Sequence, residues 1–198
     1  MKIVLATNNR HKAEEFKSML SQLYGKTELY TLSDIGFAGD IEEDGGTFEE
    51  NALIKARAAA SADYLSIADD SGICVDALGG APGIYSARYA GEHGNDKKNN
   101  EKLLYELRNV PAERRGAHYV CAIACVLPDG ESFTVTGKAY GRVLTEEHGD
   151  GGFGYDPLFL PDGQSLTWGE LDEAEKNKTS HRRKAIELFA AELKKRIG

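Results

Sequence analysis

Ala68-Asp69-Asp70-Ser71-Gly72 places two adjacent carboxylates after a short apolar run (Tyr64, Leu65, Ile67, Ala68) and before a glycine. In α/β proteins ligands gather beyond the carboxyl ends of the strands, so acids at such an end are well placed for chemistry. Successive strand residues point to opposite faces, and a regular strand therefore cannot aim both carboxylates at one ligand. The segment reads as a turn with a division of labour. One Asp is aimed into a cleft, while the other holds the loop or acts on a different atom. Taken alone, an Asp-Ser-Gly turn with solvated carboxylates explains the residues equally well.

Other segments add charge of the opposite sign. Thr7-Asn8-Asn9-Arg10-His11-Lys12 joins a first strand to a first helix. Free N–H groups and the helix dipole favour an anion there, and Arg10 and Lys12 strengthen that preference. Asn8 or Asn9 acting only as a helix cap is the plainer alternative. The glycines and Lys-Ser/Thr ending of a Walker loop are absent. Ser180-His181-Arg182-Arg183-Lys184 repeats the inversion at a later helix start, and Lys176 lies just upstream. Cations at the positive end of a dipole cost about 0.3–1 kcal/mol each at exposed positions, and broken local rules tend to mark functional sites. A solvated basic patch is the competing account.

Glu42, Glu43 and Asp44 precede a second helix; with Asp70 they offer hard oxygen ligands for Mg²⁺. Acids are also simply good chemistry before a helix. Lys55, one turn after Asn51, can turn toward the same acids. In Gly151-Gly152-Phe153-Gly154-Tyr155-Asp156-Pro157, glycines flank an aromatic ring, as suits a side chain presented for stacking on a base. A core-packed Phe in a glycine-rich loop is the alternative. The histidines have no zinc-site spacing, and no G-x-S-x-G elbow is present.

The elements that must position these groups follow from periodicity. Lys2 to Ala6 reads as a buried strand, followed by a helix with Phe16, Met19, Leu20 and Leu23 on one face. A strand is expected at Glu28 to Leu32. Thr47-Phe48-Glu49-Glu50 reads as a capping box opening an Ala-rich helix to about Ala62. Strands Tyr64 to Ala68 and Ile73 to Leu78 flank the Asp pair. The Gly79 to Gly83 loop has too much Gly and Pro for regular structure. A helix covers Asp96 to Leu107, with Leu103, Leu104 and Leu107 inward. His118 to Leu127 and Ser132 to Ala139 form a hairpin. A short apolar run, Leu158 to Leu160, follows the glycine-dense stretch. Ser180 then caps a closing helix with Ala185, Leu188, Phe189 and Leu193 inward. The alternation gives an α/β fold with a mixed sheet.

A chain of 198 residues supports one substantial core, and 41% hydrophobic with 28% charged residues is ordinary globular composition. A net charge of −8 argues against a nucleic-acid partner. Cys74, Cys121 and Cys125 contain no C-x-x-C and leave an odd thiol, so a reduced, cytoplasmic setting is expected. No signal peptide, membrane span, repeat or linker is expected, and the chain reads as a single domain, 1–198.

In order along nearly the whole chain, these segments resemble the non-canonical purine nucleoside triphosphate pyrophosphatases, which cleave inosine and xanthosine triphosphates. The match comprises Thr7-Asn8-Asn9 through Lys12, Glu43 through Asn51, Ala68 through Gly72, and Leu78-Gly79-Gly80-Ala81-Pro82-Gly83. It continues through Ser86-Ala87-Arg88, Gly151 through Pro157, and Glu175-Lys176 with Ser180-His181-Arg182. The resemblance implies an elongated mixed sheet flanked by helices, with two lobes around a central cleft. It also implies Mg²⁺ dependence, a homodimer, and hydrolysis of ITP, dITP and XTP to monophosphate and pyrophosphate. Such an enzyme cleanses the nucleotide pool.

Residue by residue, the resemblance assigns phosphate contacts to Thr7, Asn8, Asn9, Arg10, His11 and Lys12, assisted by Lys55. Asp70 is implied as metal ligand and base for the attacking water, with Ser71 beside it. Glu43, preferred over its neighbour Glu42, is implied as the second metal ligand. Phe153, Gly154, Tyr155, Asp156, Lys176, His181 and Arg182 are implied to bind base and sugar. The first loop departs from the pattern, since Asn9-Arg10-His11 stands where relatives often carry smaller residues. A septum-inhibitor-like pyrophosphatase acting on modified pyrimidine triphosphates is one alternative. A nucleotide sensor without catalysis is another, which would have no need of the acidic cluster.

Overall fold

The computed structural model describes residues 2–24 and 28–197. Strand β1 (Lys2–Leu5), helix α1 (Arg10–Tyr24), strand β2 (Glu28–Thr31), helix α2 (Phe48–Ala58) and strand β3 (Leu65–Val75) come first. Helix α3 (Asp96–Leu107) precedes strands β4 (Gly116–Val126), β5 (Ser132–Val143) and β6 (Phe159–Pro161). Helices α4 (Glu173–Thr179) and α5 (His181–Ile197) close the order.

The strands form a six-stranded sheet in the order β2-β1-β3-β4-β5-β6. β1 is parallel to both β2 and β3, with Val4 beside Tyr30 and Ser66. β6 is antiparallel to β5. Parallel neighbours need a crossover, and α1 supplies it between β1 and β2. The expected mixed α/β sheet is therefore what the chain forms.

The chain divides into two compact units. The first comprises Met1–Asp70, Cys121–Gly137 and Arg182–Gly198, the second Ser71–Val120 and Lys138–His181. No linker marks them because β3, β4 and β5 each contribute residues to both. The first unit's core is built on Ile3, Leu5, Phe16, Leu20, Ile67, Ile123 and Phe189. The second is built on Ile73, Val75, Leu103, Leu107, Tyr119, Phe159 and Trp168.

α2 opens as a cap predicts: the Thr47 hydroxyl accepts the Glu50 N–H at 3.1 Å. The Glu50 carboxylate reaches one residue further back than a capping box, to the Gly46 N–H at 2.7 Å. α2 ends at Ala58 rather than near Ala62, as the chain turns into a bridge between Ser61 and Tyr64 that leads into β3. Leu188 is exposed; Ile186 takes its core position, because 182, 185, 186, 189 and 193 make the inward stripe of α5. Leu23 falls among the residues whose side chains lie outside the description. The short helix α4 has no counterpart in the hydrophobic pattern.

At the Asp pair the structure differs from the pattern of two strands separated by a glycine turn: β3 runs unbroken from Leu65 to Val75 with Asp69 and Asp70 inside it. Gly72 serves close approach, not turning. A Cβ there would lie 2.3 Å from Ser86 Oγ and 2.5 Å from the Gly83 carbonyl oxygen. Ser86 Oγ also accepts the Ile73 N–H at 3.0 Å. Elsewhere in the second unit, buried Arg115 donates to the carbonyls of Leu107, Val110 and Leu144, tying down the C-terminal end of α3. Among the described residues no helix is long and apolar enough to cross a membrane.

Gly72→Ala is expected to cost about 1–3 kcal/mol, since the added methyl meets backbone as well as a side chain. Urea unfolding measures this, and an unchanged midpoint would show that the Ser86 segment yields freely.

Candidate active site

In the first unit, the residues after β1 build the entrance to α1. The Thr7 hydroxyl accepts the Asn9 N–H at 3.1 Å, and Asn9 Oδ1 accepts the Lys12 N–H at 3.1 Å. Asn9 is thus the helix cap, the plainer of the two readings of this loop, while Asn8 is exposed beside it. The side chains of Arg10 and His11 lie outside the described residues. No acid occupies the first turn of α1, so the N-terminal dipole remains complementary to an anion.

Lys12 leads from that turn to the first of the two carboxylates. Its ammonium lies 3.0 Å from Asp69 Oδ2, and Arg182 Nη2 lies 3.3 Å from the same oxygen. Arg182 Nη1 also donates to Glu15. The guanidinium is only 1% exposed, so these carboxylates provide the countercharge that burial demands. Burial alone would raise the Asp69 carboxyl, but the Lys12 and Arg182 charges more than offset it and hold the group well below the usual carboxylate range. Burial likewise opposes the Arg182 charge, and Asp69 and Glu15 reverse the effect.

Asp70 has a different set of partners. Lys55 on α2 is 3.4 Å from Asp70 Oδ1 and 2.7 Å from Glu43 Oε2. Asn51, one turn earlier on α2, donates to Asp70 Oδ2 at 3.3 Å and accepts the Gly45 N–H at 2.9 Å. One amide therefore links the acidic turn to the strand. Burial pushes the Asp70 carboxyl above its ordinary value despite the pull of Lys55 and Lys12. For Lys55, burial would lower the pKa, but Asp70 and Glu43 raise it, so the ammonium stays charged.

Glu43 and Asp70 are hard oxygen donors gathered by one ammonium, and Glu42 is exposed. Mg²⁺ commonly binds through one or two carboxylates plus substrate phosphates, and this donor set fits that pattern. Among the described residues no group of three or more His, Cys, Asp or Glu side chains converges. A cation held here would complete its coordination with water and substrate oxygens.

The second unit carries an aromatic cluster built around one buried ion pair. Asp156 Oδ2 accepts the Phe153 N–H at 2.9 Å and the Lys176 ammonium at 2.6 Å. Lys176, on α4, sits 4.4 Å from the Phe153 ring centroid and 5.7 Å from that of Trp168. The His181 ring stacks on Tyr119 at 4.7 Å and on Trp168 at 5.4 Å. Phe153 itself is only half-buried. Gly152 is required here: it has a φ of +73°, and a Cβ would fall 2.2 Å from Asp156 Oδ2. Tyr155 packs in the core, and its hydroxyl donates to the Ser86 carbonyl at 2.8 Å. Ser71, half-exposed, follows Asp70 along β3.

The Ham1 family model matches residues 3–192. The chain belongs to the Ham1 family. It is 47% identical to a dITP/XTP pyrophosphatase of Clostridium perfringens over 98% of this chain and 97% of that one. It is 46% identical to a dITP/XTP pyrophosphatase of Bacillus subtilis over 94% of each. The Ham1 protein structure from Staphylococcus aureus superposes with a TM-score of 0.87 at 42% identity, covering 99% of this chain and all of that one.

In the first unit of this Ham1-family chain the structure brings Glu43, Lys55 and Asp70 together, and sets Lys12 and Arg182 on Asp69; in the second it gathers Phe153, Asp156 and Lys176, with His181 on the same Trp168 ring. Glu15, Asn51 and Trp168 join these groups in the structure without standing out in the motifs. Glu15 left a signal, since 12, 15, 16, 19 and 20 share the inward face of α1, where an acid requires a partner. Asn51 and Lys55 likewise stand on the buried face of α2 with Ala52 and Ala56. Burial raises the thiols of Cys121 and Cys125 to about 12, in keeping with a packing role.

Asp69 should contribute strongly to stability. Its folded pKa lies below the unfolded value, so its share is present above about pH 4 and is lost as pH falls toward the folded pKa. Asp69→Asn is expected to destabilise by about 3–5 kcal/mol at neutral pH, because it leaves Arg182 and Lys12 poorly compensated. The gap to wild type should narrow at pH 3. Urea unfolding at both pH values measures it, and a constant gap would remove the ionised carboxylate from the account.

Proposed function

We propose that this chain hydrolyses non-canonical purine nucleoside triphosphates, ITP, dITP and XTP, to the nucleoside monophosphate and pyrophosphate. The single observation that carries this reading is the Lys55 ammonium shared by Glu43 at 2.7 Å and Asp70 at 3.4 Å. It gathers a carboxylate from the turn before α2 and another from the middle of β3. The relatives named as dITP/XTP pyrophosphatases support the same substrate class.

In this mechanism Lys12, Lys55 and the backbone N–H groups at the start of α1 hold the phosphates. Glu43 and Asp70 would hold Mg²⁺, which supplies charge neutralisation on the phosphate oxygens. Asp70 orients or deprotonates the attacking water. One water is added, the anhydride between the α and β phosphates opens, and pyrophosphate leaves. Phe153 stacks on the base, and Lys176 beside it reads the ring.

Selectivity follows from hydrogen-bond polarity. An ammonium donates and never accepts, so Lys176 matches the oxo groups of hypoxanthine and xanthine. Adenine presents an amino donor in the same place. Mismatched buried polar groups yield discrimination of about 10⁴-fold, whereas shape alone yields about 10²-fold. Guanine shares one oxo group, so its rejection rests on its 2-amino group. Arg182, already committed to Glu15 and Asp69, serves by holding Asp69 and with it Lys12. The enzyme works on the nucleotide pool of the cytoplasm, in keeping with its three free cysteines.

Pyrophosphate release across ITP, dITP, XTP, ATP and GTP tests the reading. kcat/KM for the first three should exceed that for ATP and GTP by about 10²-fold or more, and chelation by EDTA should abolish turnover. Equal rates on all purine triphosphates would refute the donor argument. Asp70→Asn should lower kcat by about 10²–10⁴-fold with circular dichroism unchanged; near-normal turnover would remove Asp70 from the chemistry. The active assembly is proposed to be a homodimer, so light scattering should return twice the 21.6 kDa chain mass. A monomer at working concentration would contradict it.

A further inference from the structure

Phe153 is carried by a glycine-flanked segment in which Asp156 holds its own N–H and a second element holds the residue that follows. Gly152 and Gly154 on either side have positive φ, +73° and +63°, and glycine leaves such conformations as readily as it enters them. Much of the order of this loop is imposed from α3. Asp96 Oδ2 accepts the Gly154 N–H at 2.7 Å, and Asn100 Nδ2 donates to the Gly154 carbonyl at 3.2 Å. Asp96 and Asn100 are four residues apart and therefore share one helical face.

Each grip is itself braced. The Asn100 amide also donates to Glu147 Oε1 at 2.9 Å, and only its NH₂ end can serve two acceptors, so its orientation is set. Asn100 is 4% exposed, which limits competition from water. Asn95 caps α3 by accepting the Lys98 N–H, leaving Asp96 in the first turn, where the dipole favours an ionised carboxylate. Both main-chain polar groups of the residue after Phe153 are thus held by side chains of another element. None of the phosphate or base chemistry above employs either side chain.

We propose that Asp96 and Asn100 are positioning residues that hold the Phe153 ring in register with the substrate's base. The inference rests on the reading of Phe153 as the stacking side chain. It makes α3, which supplies no catalytic group, a determinant of how well the enzyme grips its preferred bases.

The test uses the full chain with Asp96→Ala, Asn100→Ala and Asp96→Asn. Hydrogen exchange on the ligand-free protein reads the clamp directly. Asp96→Ala should speed exchange at residues 152–154 by about tenfold or more while β4 is unaffected. Unchanged exchange there overturns the clamp, whatever the substrate. Steady-state kinetics reads the consequence. KM for ITP should rise about 5- to 20-fold with kcat within about twofold, as expected when binding is lost equally from ground and transition states. Asn100→Ala should act in the same direction. Asp96→Asn keeps an acceptor oxygen and should restore both readouts.

In a Phe153→Ala background Asp96→Ala should add less than about twofold, because the residue acts through that ring. A fall in kcat at constant KM, or a full extra effect without Phe153, overturns the positioning role. Wild-type protein that releases no pyrophosphate from ITP would instead defeat the proposed function, and the exchange measurement would still decide the clamp.

Discussion

The two-residue period of a β-strand is the constraint on which the first unit's chemistry depends. Asp69 and Asp70 are neighbours in an unbroken β3, so their side chains must part to opposite faces. One meets Lys12 and Arg182, the other Lys55 and Asn51. The same residue type therefore acquires opposite electrostatics one position apart. Asp69 is compensated by two cations and held ionised. Asp70, compensated less fully, is raised by burial. A turn at this point would have left both free to rotate toward water and become equivalent.

The cations that stand at the wrong end of a helix dipole are explained by the same pairing. Arg182 begins the inward stripe of α5, and Lys12 begins that of α1. Each faces a carboxylate rather than solvent, and Glu15 joins them from α1. Arg183, which points outward, pairs with Glu187 one turn along. The local penalty at the helix starts is offset by tertiary contacts, and those contacts set Lys12 beside Asp69. Removing either sign would leave the other buried and uncompensated, which ties the stability of the unit to its chemistry.

In the second unit the organising group is Asp156. Its single Oδ2 binds the Phe153 N–H and the Lys176 ammonium together, so the aromatic ring and the cation beside it are placed by one carboxylate. The approach is close enough to exclude any side chain at position 152. The price in backbone freedom is met by hydrogen bonds from α3 and by the Tyr155 hydroxyl on Ser86. A flexible sequence thus becomes an ordered platform through its neighbours.

Much of this was legible in the residues alone. Hydrophobic period gave α3 with the observed limits, placed β1, β2 and the β4–β5 hairpin, and put Thr47 at the start of α2, because each depends on near neighbours in the chain. The ordered motifs pointed to the nucleoside triphosphate pyrophosphatases, in agreement with the Ham1 family match. They also singled out Lys12, Glu43, Lys55 and Asp70, which the fold sets in ion pairs around the Asp pair, and Phe153 and Lys176, which it sets side by side. Tertiary structure decided the rest. It kept β3 straight through Gly72, since the Ser86 segment packs where a side chain would stand. It assigned Asn9 to the cap and Tyr155 to the core. It also showed that Arg182 answers Glu15, 167 residues away in sequence. Local pattern records which residues want burial, whereas the partner that makes a buried charge tolerable is chosen only when distant segments meet.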